Sequence, residues 1–108
     1  MKNQGKLQDA EIFQRKAIAV DPHYAEAHSN LGNILKALGK LKDAEISYRK
    51  AIKLKKDFTD AYLNLGLLLK DFGQLEEAEL LTRKAIEINP RSSNSYFHLG
   101  NILRDAGQ

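Results

Sequence analysis

The sequence predicts an all-α solenoid of six helices, each about 14 residues long, joined by short turns into antiparallel hairpins. Three observations predict it: the 108-residue chain matches itself when slid by 34 positions, its apolar residues recur three and four apart, and its glycines fall into columns of the same period.

Composition fits such a protein. With 43% hydrophobic and 29% charged residues the chain has the balance of a folded, water-compatible domain rather than a disordered one. Cysteine is absent, which excludes disulfides and thiolate metal sites, so stability must come from packing. The segment Met1 to Leu7 is polar and lacks the apolar stretch of a signal peptide; with the cysteine count, this predicts a cytoplasmic protein. No apolar run approaches the roughly 20 residues needed to cross a bilayer, so no membrane partner is expected. The net charge of +3 is spread through interleaved acids and bases and by itself names no partner.

The self-match sets NLGNILKALGKLKDAE (Asn30 to Glu45) on NLGLLLKDFGQLEEAE (Asn64 to Glu79) without a gap. The elements follow in order. Helix 7–20 carries Leu7, Ala10, Ala17 and Ile18 in the columns of Leu41, Ala44, Ala51 and Ile52. Helix 25–38 begins after Pro22 and ends at Gly39; helix 41–54 then returns. Helices 59–72 and 75–88 repeat this pair around Gly73, and helix 93–106 follows Pro90, with Leu99, Gly100, Ile102 and Leu103 under Leu65, Gly66, Leu68 and Leu69. Lys56 replaces proline in the middle turn. Each helix is about 21 Å long and marginal alone, so it must gain stability from its neighbours.

The glycine columns have different causes. Gly32, Gly66 and Gly100 lie inside helices, where glycine costs up to about 1 kcal/mol relative to alanine, and a close helix-to-helix approach is the expected compensation. Gly5, Gly39, Gly73 and Gly107 lie where the periodicity breaks, and there glycine is expected to end a helix in the left-handed conformation.

The pattern Leu31-Gly32, Leu35, Gly39, Ala44, Tyr48, Ala51 resembles the tetratricopeptide repeat, a helix-turn-helix unit of 34 residues. The resemblance covers nearly the whole chain and implies a right-handed superhelix that binds proteins. The family's bulky aromatic in the first helix appears here as His28, Tyr62 and Tyr96, while Gln14 and Thr82 stand in the column of Tyr48. In the family's phase a single domain 1–108 divides into a half repeat 1–24, full repeats 25–58 and 59–92, and a half repeat 93–108. Both ends are expected to show apolar faces that call for cover, either by further repeats or by a second copy joined head to tail into an array.

Nothing in the sequence points to catalysis, a cofactor or a metal. No two of His23, His28 and His98 share the i, i+4 spacing of a helical zinc pair. His28 stands in an aromatic column and reads as a packing residue, and Ser29 projects about 100° away from it, so the two make no nucleophile and base. Glu76 and Glu77 favour the positive end of a helix dipole. The single glycines make no phosphate loop.

A binding face is legible instead. Positions 2, 5, 6, 9, 12 and 13 of each first helix share one side. Among them Asn30, Asn33 and Lys36 come from the first full repeat, Leu63, Asn64, Leu67 and Lys70 from the second, and Asn94, Phe97, His98, Asn101 and Arg104 from the last half repeat. A carboxamide both donates and accepts, which suits a peptide backbone. Packed helices lie about 8–10 Å apart and an extended chain rises about 3.3 Å per residue, so one Asn per repeat reaches every third ligand residue. The row is similar to the asparagine array in the superhelical repeats of O-linked N-acetylglucosamine transferases, which also carry a Ser-Asn-Leu-Gly-Asn run like Ser29 to Asn33. Other members of the family clamp a chaperone's C-terminal carboxylate with two Lys, two Asn and an Arg. Only Asn33 and Asn64 match that set, and Ser29, Asn94 and His98 occupy the cation positions. Nucleic acid is disfavoured, because Glu26, Asp60, Asp71 and Asp105 interrupt the basic residues Lys36, Lys70 and Arg104 that would join the cluster Lys53, Lys55 and Lys56.

Overall fold

The computed structural model describes residues 4–107; the first three residues and the last one of the expected half repeats lie outside the described residues. The described residues form six helices and no strand: α1 (Gln4–Val20), α2 (Ala25–Ala37), α3 (Leu41–Leu54), α4 (Thr59–Asp71), α5 (Leu75–Ile88) and α6 (Ser93–Ala106). None of them is long and apolar enough to cross a membrane. The chain divides into two compact units, Met1–Lys56 and Asp57–Gln108.

In the first unit α2 packs against α3 on one side and α1 on another. Ala27, Leu31 and Leu35 of α2 and Ala44, Tyr48 and Ala51 of α3 are buried. A mid-helix glycine makes this packing possible. A Cβ on Gly32 would stand 2.6 Å from the Tyr48 ring, so the absent side chain is the room the ring occupies. In the second unit α5 lies between α4 and α6, which also touch each other. Ala61, Leu65, Leu68 and Leu69 of α4, Ala78 and Ala85 of α5 and Ile102 of α6 form its buried core. Gly66 repeats the close approach: its Cβ would lie 2.9 Å from Thr82 Oγ1 and 3.4 Å from the Ala78 carbonyl. Each buried leucine contributes about 1.5–3 kcal/mol relative to an exposed one. Around Gly100, by contrast, a Cβ would meet nothing within 4 Å.

The turns confirm the second glycine column in part. Gly39 and Gly73 both adopt φ +82°. Behind them Lys40 N–H donates to Leu35 O at 2.8 Å and Gly39 N–H to Lys36 O at 3.0 Å, and Gln74 and Gly73 repeat these bonds to Leu69 and Lys70. This is the Schellman pairing, which satisfies the last carbonyls of α2 and α4 and returns the chain as a hairpin. Gly5 and Gly107 depart from expectation. Gly5 lies inside α1, which begins three residues earlier than Leu7, and Gly107 ends α6 with φ −80° in the right-handed region. At the other turns Asp21 Oδ1 accepts from His23 N–H and Asn89 Oδ1 from Arg91 N–H, both at 3.2 Å, so residues preceding Pro22 and Pro90 shape the entry to α2 and α6.

The second helices carry a repeated ion pair: Glu11–Arg15, Glu45–Arg49 and Glu79–Arg83, all at 2.9 Å and all i, i+4. Each contributes about 0.2–0.5 kcal/mol.

The glycines give a paired prediction. Gly32→Ala drives a methyl into a buried ring and is expected to destabilise the chain by about 1–3 kcal/mol, whereas Gly100→Ala meets open space and gains up to about 1 kcal/mol of helix propensity. Thermal unfolding followed by circular dichroism measures both; equal effects would refute the assigned contact.

Candidate functional site

The residues of the face expected on the first helices are differently disposed in each unit. On α2, Asn30 and Asn33 are exposed and Lys36 is half-buried. On α4, Asn64, Leu67 and Lys70 are half-buried, while Leu63 is buried and belongs to the packed interior rather than the open surface. On α6, Asn94, Phe97 and Arg104 are exposed and His98 and Asn101 are half-buried. Phe97 is 65% exposed and meets the His98 ring edge-on, with centroids 5.6 Å apart. Ser29, on the same predicted stripe, is buried.

Three of these residues are held by contacts that spacing did not reveal. The Tyr48 hydroxyl crosses the α2–α3 hairpin and donates to Asn33 Oδ1 at 2.6 Å. This fixes the carboxamide and leaves its two N–H donors for another acceptor. Burial pushes the Tyr48 phenol from its ordinary 10.0 up to about 12, so it remains a neutral donor at all physiological pH. In the second unit Lys70 Nζ of α4 lies 3.5 Å from Asp105 of α6, which Arg104 also approaches at 3.5 Å. The basic line foreseen from sequence is therefore partly neutralised within the unit. In the first unit Glu26 of α2 pairs with Lys55 at 3.2 Å, and that contact, after a backbone hydrogen bond, holds its carboxyl below the usual range.

His28 behaves as its column requires. It is buried, and its Nε2 lies 3.0 Å from the Pro22 carbonyl oxygen. Tyr96 does the same with its hydroxyl, donating to the Pro90 carbonyl at 2.9 Å. Both residues brace the turn that precedes their helix. Among the described residues no group of three His, Asp or Glu side chains is placed to hold a metal ion.

Two hairpins of this geometry, with small residues at the crossings and left-handed glycine turns, match known sequences. A family profile described as tetratricopeptide repeat covers residues 13–46 and 81–108, more than half of the chain; a second of the same description covers 59–92, and one described as TPR repeat covers 32–73. The chain belongs to the tetratricopeptide repeat family. Solved tetratricopeptide structures agree. The first TPR of Spaghetti (RPAP3) bound to the HSP90 peptide SRMEEVD is 25% identical, with a TM-score of 0.91 over 97% of this chain and 83% of that one. The first TPR domain of human RPAP3 is 25% identical with a TM-score of 0.90 over 96% and 82%. MamA is 28% identical with a TM-score of 0.87 over 94% of this chain and 59% of its own. Curated proteins give no significant sequence match.

Tyr48→Phe tests the bond to Asn33. Its loss is expected to cost about 0.5–1.5 kcal/mol at neutral pH. The folded chain also keeps a proton that the unfolded chain releases near pH 10, so wild-type stability falls as pH rises from 10 towards about 12. Denaturant titrations at pH 8 and pH 11 should show the variant losing less across this interval than the wild type.

Proposed function

We propose that this tetratricopeptide chain is a non-catalytic interaction scaffold that grips an extended segment of another protein on its first-helix faces. The observation that carries the reading is the oriented carboxamide of Asn33: with its oxygen occupied by Tyr48 at 2.6 Å, it offers donors to a ligand carbonyl. Asn30 beside it is exposed, and Asn64 recurs one repeat later on α4. A preset amide loses less conformational freedom on binding than a free one, which favours recognition of main chain over any one side chain. Leu67 and the exposed Phe97 supply apolar contacts for the ligand's side chains.

The bound peptide of the Spaghetti (RPAP3) structure supports a peptide as the class of ligand. It does not carry over its acidic sequence, because the clamp positions here hold Ser29, Asn94 and His98, and Lys70 and Arg104 already lie 3.5 Å from Asp105. Nucleic acid is less favoured for the same reason, with Lys55 paired to Glu26 as well.

Peptides selected from a random display library against the full chain provide the probe. Asn33→Ala and Asn64→Ala are each expected to lower their affinity about tenfold, near 1.4 kcal/mol, with helicity unchanged by circular dichroism. Affinity equal to wild type in both variants would remove the amide face from the site. The peptide SRMEEVD itself is expected to bind more weakly than about 100 µM by calorimetry; tight binding would restore the carboxylate clamp.

A further inference from the structure

We infer that a second copy of this chain docks head to tail, α1 of one molecule lying on α6 of the next and completing a helix pair like α2–α3 and α4–α5. The inference rests on two uncovered surfaces that are the two halves of one interface. In the complete pairs the first helix buries an aromatic-column residue, a glycine and a leucine: His28, Gly32 and Leu35 in α2, Tyr62, Gly66 and Leu69 in α4. The same columns on α6 are open, with Tyr96 51% and Leu103 42% exposed and Gly100 exposed between them. The second helix of each complete pair buries Ala44, Tyr48 and Ala51 or Ala78, Thr82 and Ala85. Their counterparts on α1, namely Ala10, Gln14 and Ala17, are all only half-buried, and α1 has no fully buried residue.

What fits each surface is therefore fixed by the molecule's own hairpins. Gly32 receives the Tyr48 ring and Gly66 receives Thr82 and the Ala78 backbone, whereas around Gly100 a Cβ would meet nothing within 4 Å. Placing α1 on α6 by the same register sets Gln14 and Ala10 over Gly100. It also sets Gln14 opposite Asn101, as Tyr48 stands opposite Asn33, to which it donates at 2.6 Å. Both Gln14 and Asn101 are half-buried carboxamides and pair donor to acceptor, so the polar Gln14 in the column of Tyr48 and Thr82 meets a polar partner. The contact is heterologous: α1 uses one surface and α6 another, leaving the assembly as a whole with one of each still open. A helix on a helix buries less than the roughly 800 Å² per partner of a stable complex, so association is weak and grows with concentration.

Light scattering of the full chain coupled to size exclusion tests this. The mass should rise from 12.2 kDa at low concentration towards multiples at millimolar concentration. Gly100→Lys places bulk where the folded chain has open space and raises helix propensity, so it should fold at least as well and lose self-association. Ala10→Arg blocks the other surface and should also stay at the single-chain mass, with its fold checked by circular dichroism. Mixing the two variants leaves one intact α1 and one intact α6 in the pair, and is expected to give a 1:1 dimer that grows no further. A 12.2 kDa mass at every concentration would overturn the inference. Association surviving in either variant alone, or a mixture that stays monomeric, would overturn it equally.

Discussion

The contact on which both hairpins depend is the approach of a second helix to a glycine in the middle of the first. Glycine there costs the isolated helix up to about 1 kcal/mol, and the chain recovers this only because Tyr48 or Thr82 fills the vacated space. The same contact builds the candidate site. The Tyr48 ring lies over Gly32, and its hydroxyl then reaches Asn33, the next residue along α2. Core and candidate face thus share a side chain, and a larger residue at position 32 would displace the ring and release the amide together.

Most of the fold was legible because it is periodic. Six helices, their order and the left-handed turns at Gly39 and Gly73 follow from columns that recur every 34 residues. The errors arose where a column continued without the physical setting that gave it meaning. A left-handed cap serves to receive carbonyls from a helix that has just ended; Gly5 instead sits within the first turn of α1, and Gly107 bonds to the carbonyls of Leu103 and Arg104 from a right-handed conformation.

The candidate site was read less completely. A helical wheel at 100° per residue separates faces but blurs their edges, and Leu63 and Ser29, which share the fifth position, fell on the buried side of that edge. Sequence spacing could not show that Tyr48 bonds Asn33, because the two lie fifteen positions apart and meet only once the hairpin closes. The Glu–Arg pairs of α1, α3 and α5 recur at the period of 34 residues, but their spacing alone does not separate a formed ion pair from solvated surface charge.

Several polar contacts of one repeat close within it. Between residues 25 and 58 lie the glycine turn, the bond from Tyr48 to Asn33, the Glu45–Arg49 pair and the Glu26–Lys55 pair. The packing of α2 on α1, the approach of His28 Nε2 to the Pro22 carbonyl and the bridge from Lys40 to Glu11 reach back before it, and an exposed ion pair of this kind contributes about 0–1 kcal/mol. A gene encoding such a chain can therefore gain or lose a repeat by unequal recombination without orphaning a buried polar group. Array length is then free to evolve separately from the residues of the candidate face.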